Sequence, residues 1–169
     1  MRLPLSIYAR LAGVVIGLVA AHCDAATLTT FVVAQSIKPL LIQKVQDLDM
    51  GSVTLGPGLW SNVTVSISQT GVLTCADPNV TCSGAVQAAE YDVQGSGQQV
   101  VQITAPNVTL TNQSDASQKL TLVTDAPASI KLANSGLPGT NFWIGGSVTL
   151  NSATAPGTYV GTFNVTVDY

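Results

Sequence analysis

The sequence is short of charge. Charged side chains make up 9% of its 169 residues, against about 25% in an ordinary soluble domain. Arginine stops at Arg10, and the one histidine is His22. The rest of the chain therefore has no Ser-His-Asp or Cys-His catalytic arrangement and no guanidinium clamp for an anion. Nucleic-acid binding is excluded as well, because it rests on Lys and Arg neutralising phosphates. Beyond Cys23, cysteine is limited to Cys75 and Cys82, too few without histidine to hold a four-ligand zinc. No catalytic residue, metal ligand or cofactor site stands out. Helical periodicity is missing too: beyond residue 26 no window repeats its apolar residues at helical spacing.

What is there begins with a leader. Arg2 and Arg10 flank a positive start, and Leu11 to Ala21 is apolar. Cys23-Asp24-Ala25 then places small residues where a signal peptidase reads. This predicts a secretory signal peptide over residues 1–25, cleaved after Ala25 or Ala26. A transmembrane anchor is the competing reading, but the apolar run is well short of the ~20 residues needed to span. A lipidated Cys23 is another, with His22 a poor neighbour for it. Cleavage leaves roughly 145 residues, enough for one core, so residues 26–169 are expected to form a single domain with no membrane span. The remaining charges are four lysines and eight carboxylates, a formal net charge of −4. Hydroxyls and amides must supply the solubility. Such a surface suits an exported protein, and one that packs against copies of itself.

The last stretch, Gly157 to Tyr169, alternates. Tyr159, Phe163, Val165, Val167 and Tyr169 occupy every second position, and Val160, Thr162, Asn164, Thr166 and Asp168 the positions between. That is a strand with one buried and one wet face. The same pattern recurs at Val63, Val65 and Ile67, at Ala89, Tyr91 and Val93, and at Phe142, Ile144, Val148 and Leu150. Further short strands are expected at Ile37–Val45, Gln98–Thr104, Val108–Thr111 and Lys119–Thr124. Pro39 puts the first of these at a sheet edge. Short strands broken by Gly, Pro, Asn and Asp predict an all-β fold, an Ig-like antiparallel β-sandwich.

Few residues are placed for chemistry. Cys75 and Cys82 are expected to bond to each other in an oxidising compartment. Asp47 and Asp49, in D-L-D-M-G, could act as paired carboxylates or begin a calcium loop, but the rest of that ligand set is absent. A turn whose Asp side chains cap backbone N–H groups is the simpler reading. Glu90 and Asp92 flank Tyr91 on an outward row. Trp60 and Trp143 could stack on sugar rings, or simply pack. Asn-x-Ser/Thr triplets at Asn62, Asn79, Asn107, Asn112 and Asn164 are what a Thr- and Asn-rich β-protein makes incidentally.

Four blocks in order carry a resemblance: D-L-D-M-G at Asp47, A-x-Y-x-V-x-G at Ala89 to Gly95, F-W-I-G-G-S-V-T-L at Phe142, and A-P-G-T-Y-V-G-T-F-N-V-T-V-D-Y at the end. Together they resemble a family of secreted bacterial proteins catalogued as domain of unknown function 4402. Met50 stands where an aromatic is usual, and the Cys75–Cys82 loop is an addition. The blocks are also similar in style to chaperone–usher pilins and spore-coat-U-like secreted pilins. That similarity implies a structural, non-enzymatic subunit of a fimbria-like surface fibre or coat. It implies self-association or related subunits as partners, with a periplasmic chaperone and an outer-membrane usher. It also implies strand complementation, in which a neighbour's N-terminal extension fills a gap in the sandwich. Residues 27–34 would be that arm, with Phe31 and Val33 on one face and Leu28, Val32 and Ala34 on the other. Phe163, Val165, Val167 and Tyr169 would be the inward row of the last strand. The alternative is a monomeric secreted binding module, for carbohydrate, using Trp60, Trp143 and the acidic turn.

Overall fold

Period-two alternation becomes strand along most of the chain in the computed structural model, which describes residues 28–169. The predicted signal peptide, its cleavage point, Cys23 and Thr27 lie outside the described residues. The chain divides into two units, Met1–Gln35 and Ser36–Tyr169. In the first, residues 28–35 carry no regular secondary structure and their side chains are exposed, Phe31 by 89% and Val33 by 91%. Residues 28–34 of the arm thus have no strand partner among the described residues, although their composition favours a strand.

The second unit is all β among the described residues. Its strands are β1 (Leu41–Gln46), β2 (Ser52–Leu55), β3 (Val63–Ile67), β4 (Leu73–Thr74) and β5 (Val80–Ser83). There follow β6 (Ala89–Gln94), β7 (Val100–Thr104), β8 (Val108–Asn112) and β9 (Lys119–Asp125). The last four are β10 (Ser129–Lys131), β11 (Thr140–Leu150), β12 (Tyr159–Val160) and β13 (Thr166–Asp168). All pairings are antiparallel. The main sheet runs β1-β6-β11-β9-β8-β12, with β3 and β4 added beside β11. Two small sheets, β10-β7-β13 and β2-β5, complete the sandwich-like arrangement. Pro39 precedes β1, which is an edge strand as expected.

β11 is the spine. Thr140 to Ile144 pair with β6, and Gly146 to Leu150 pair with β3. Gly145 marks the change of partner, where a Cβ would collide with the Ile67 carbonyl. Its Phe142, Ile144, Val148 and Leu150 point inward and are buried, as the alternation predicts. Two clusters result. One gathers Phe142, Ile144, Val93, Val101 and Leu132 under β7 and β10. Tyr91 stacks on Phe142 there, the ring centroids 5.5 Å apart. The other gathers Val63, Val65, Leu122, Val148 and Leu150, with β2 and Cys82 against it. Each fully buried aliphatic contributes about 1.5–3 kcal/mol.

The final stretch departs from expectation. It is not one strand but β12 and β13, joined by residues 161–165 that have no ladder partner among the described residues. The chain leaves β8 and crosses to β7, so its backbone changes sheets while its side chains keep alternating. Phe163, Val165 and Val167 do face the clusters, half-buried, and Asn164, Thr166 and Asp168 are exposed. Tyr169, just beyond β13, does not reach the core: it is 44% exposed, its hydroxyl bonded to the Lys38 carbonyl.

Candidate functional site

The second cluster is not fully covered. An open groove of about 1430 Å³ runs over it. Its floor is Leu110, Leu120, Leu122, Val148 and Leu150, contributed by β8, β9 and β11. Leu110 and Leu120 are only half-buried there.

One bank is β2, and the D-L-D-M-G turn places it. Asp49 Oδ1 accepts the Gly51 N–H at 2.8 Å. The Asp49 and Gln87 backbones bond each other twice, both at 2.9 Å. Gly51 has φ +69, and a Cβ there would sit 2.6 Å from the Ser83 carbonyl. Glycine is therefore required for the chain to turn from β1 into β2. Asp47 is engaged separately, accepting Lys44 Nζ at 2.7 Å; that hydrogen bond holds the Lys44 ammonium above its ordinary pKa. Asp49 thus caps a backbone N–H as the turn reading expects, whereas Asp47 is held by Lys44 instead. Lys44 and Tyr91 stand at this end of the groove, and burial pushes the Tyr91 phenol up.

The other bank is residues 158–163. Its start is pinned. Asn112, 2% exposed, donates Nδ2–H to the Pro156 carbonyl at 3.0 Å. Its Oδ1 accepts the Ser114 and Asp115 N–H groups at 2.8 and 3.3 Å. Tyr159 donates its hydroxyl to the Ala155 carbonyl at 2.9 Å. Beyond Val160 the pairing to β8 ends.

Both banks present free backbone to the groove. Among the described residues β2 pairs with β5 alone, and β12 with β8 alone. β5 itself does not line the groove, so the open edge of β2 faces it. An apolar floor between two unpaired edges is the shape of a missing strand: it can take main-chain hydrogen bonds from either side and alternate side chains below.

The predicted residues distribute as follows. Phe163 touches both clusters and lines the groove. Val165 and Val167 pack at the other end, on the cluster around Phe142. Phe31 and Val33 are exposed in the separate N-terminal unit. Cys75 and Cys82 form the expected disulfide, Cα atoms 6.2 Å apart, behind β2. Trp60 packs half-buried on the second cluster and donates its N–H to the Gly56 carbonyl at 3.2 Å. Trp143 stands on the outward row of β11, 43% exposed, next to an Asn141 Nδ2–Glu90 Oε1 hydrogen bond of 2.7 Å. The two indoles do different work and do not share a face. The groove floor was missed in the sequence. Leu110, Leu120 and Leu122 read as ordinary strand residues, and nothing local marks a facing strand as absent.

The chain matches the family described as a domain of unknown function (DUF4402) over residues 40–169, and it belongs to that family. No curated protein and no solved structure matches it.

Proposed function

We propose that this member of the DUF4402 family is a non-enzymatic, exported structural subunit that assembles by strand complementation into a fibre- or coat-like surface structure. One observation supports the reading above others. The folded unit has an apolar groove between two unpaired edges, and the same chain carries an exposed apolar segment, Leu28–Ala34, of strand-forming composition. A free edge and a loose β-forming segment are each an aggregation hazard alone; joined, they satisfy one another. The low charge of the sequence favours close packing of copies. The Cys75–Cys82 disulfide fits a periplasmic or extracellular location. A chaperone that shields the groove before assembly, and an usher that exports the subunit, are the expected partners.

The test is negative-stain electron microscopy of producing cells in three states: gene intact, gene removed, and residues 27–34 deleted. Surface fibres or a coat are expected in the first alone. Identical surfaces with and without the gene would reject a structural role. Fibres that survive the deletion would reject the arm as donor strand.

A further inference from the structure

The root of the arm is tied down at a place that decides where the arm can go. Three hydrogen bonds reach it at Lys38, and a fourth joins two of their partners. Lys38 N–H donates to Ser96 Oγ at 2.7 Å, and Lys38 Nζ to the Ser135 carbonyl at 3.3 Å. The Tyr169 hydroxyl donates to the Lys38 carbonyl at 2.6 Å and accepts the Ser96 N–H at 2.8 Å. The last residue of the chain thus bridges the start of the folded unit to the β6–β7 turn. Gly95 makes room for this: a Cβ there would lie 2.6 Å from the Tyr169 hydroxyl oxygen and 2.8 Å from Leu40. The half-exposed Tyr169 ring, misplaced for a core residue, is placed for this clamp.

The clamp sits at the end of β1 away from the groove. β1 runs from Leu41, opposite Gln94, to Gln46, opposite Glu90, and groove lining begins at Lys44. From Lys38 to Lys44 is about 20 Å of extended chain. Suppose the arm turned back on its own molecule at Ser36-Ile37 and ran antiparallel along β1. Phe31 would then come level with Ile42, and only Leu28 would come level with Val45. The apolar centre of the arm falls short of its own groove. If the chain were free up to Leu40 and turned at Pro39-Leu40 instead, Phe31 would come level with Leu48, inside the groove.

We propose that Tyr169 is a positioning residue that clamps the arm's root at Lys38, so that the arm fits the groove of a second copy and not its own. The inference rests on the strand-complementation reading of the groove. An arm rooted at one end of β1 and a groove that begins at the other would make a heterologous, head-to-tail contact, which extends without closing.

The probe is a labelled synthetic peptide of residues 27–34, titrated by fluorescence anisotropy into four whole proteins below their own assembly concentration. These are the mature chain, the same chain lacking residues 27–34, and Tyr169→Phe with and without the arm. Saturable binding to the arm-less chain is expected, with the mature chain within twofold of it, because its groove is empty. Tyr169→Phe with its arm should bind at least tenfold more weakly than Tyr169→Phe without it, because the freed arm now occupies its own groove. Amide exchange at Ser96 should quicken in Tyr169→Phe. A mature chain that is monomeric and binds the peptide tenfold more weakly than the arm-less chain would overturn the clamp while leaving the groove as an acceptor. Tyr169→Phe proteins that bind alike with and without the arm would also overturn it. No peptide binding by any protein would remove the groove reading, and the clamp with it. If Tyr169→Phe fails to fold, Ser96→Ala removes the other hydrogen bond to the Lys38 backbone and takes its place.

Discussion

The two ends of the sandwich are built on the same spine and finished differently. At one end β11 lies under the three-stranded sheet β10-β7-β13, and Ile144, Val101 and Leu132 are fully buried. At the other end the same strand lies under the two-stranded β2-β5, and a groove stays open over Leu110 and Leu120. The inward residues are of one kind at both ends, mostly Val, Leu and Ile. Closure is therefore decided by the number of strands opposite, not by the hydrophobicity of the strand beneath. A strand cannot encode its own cover.

That contrast can be broken most forcefully by charge. Ile144→Asp would bury a carboxylate with no partner at a fully enclosed site and should cost more than about 4 kcal/mol, enough to prevent folding. Leu120→Asp, on the wet groove floor, should cost about 1–1.5 kcal/mol and leave the protein folded. Urea denaturation compares them, and equal costs would mean that the open end is as dry as the closed one. A smaller effect tests the crossing strand. Val165→Asp, half-buried at the closed end, should cost about 2–3 kcal/mol, and its neighbour Thr166→Asp less than about 0.5 kcal/mol. If the two match, the row is facing the wrong way.

The disulfide sharpens the comparison locally. Replacing Cys75 and Cys82 by Ala removes a short closure worth about 2–3 kcal/mol at most. Faster amide exchange should be confined to β2, β4 and β5, with the Phe142 end unchanged. Protection lost evenly at both ends would show that the two clusters do not open separately.

The smallest effect is a titration at the open end. Asp115, in the β8–β9 turn, accepts the Ser117 hydroxyl at 2.7 Å and the Ser117 N–H at 2.9 Å, which hold its carboxyl below the usual 3.8. A depressed folded-state pKa stabilises above the unfolded value, and the contribution disappears as pH falls from about 3.8 through the lowered folded value. Ser117→Ala should move the Asp115 carbon resonance midpoint upward in an NMR titration. The Ser117 N–H bond stays in this variant, so an unchanged midpoint would show that the hydroxyl bond is not the cause.

Much of the fold was legible because alternation reports facing directly. Phe142, Ile144, Val148 and Leu150 could be assigned inward from the sequence, and so could Val63, Val65 and Ile67. Facing is not pairing, however. Tyr159 to Val167 alternate without interruption across a change of sheet, so the unpaired residues 161–165 were invisible. β5 and β10 were missed because Val-Thr-Cys-Ser and Ser-Ile-Lys are too short to show a period. The groove was less legible still, since its defining feature is the free edge of β2 and the backbone of residues 161–163, which no other strand pairs among the described residues. Tyr169 was read as core from its place in the row, whereas its ring is half-exposed and its hydroxyl makes two bonds to Ser96 and Lys38.

Asn112 has a consequence for how the protein can be made. Asn112-Gln113-Ser114 is an acceptor triplet for an oligosaccharyltransferase, which acts on chains as they emerge and before they fold. The native side chain is sealed, its amide committed to the Pro156 carbonyl. A glycan added there would hold the β8–β9 turn away from the segment that leads into β12, leaving one groove bank without its anchor. Production in a eukaryotic secretory host should therefore divide the chain into a folded fraction bare at Asn112 and a misfolded fraction modified there. A bacterium without that enzyme makes only the first.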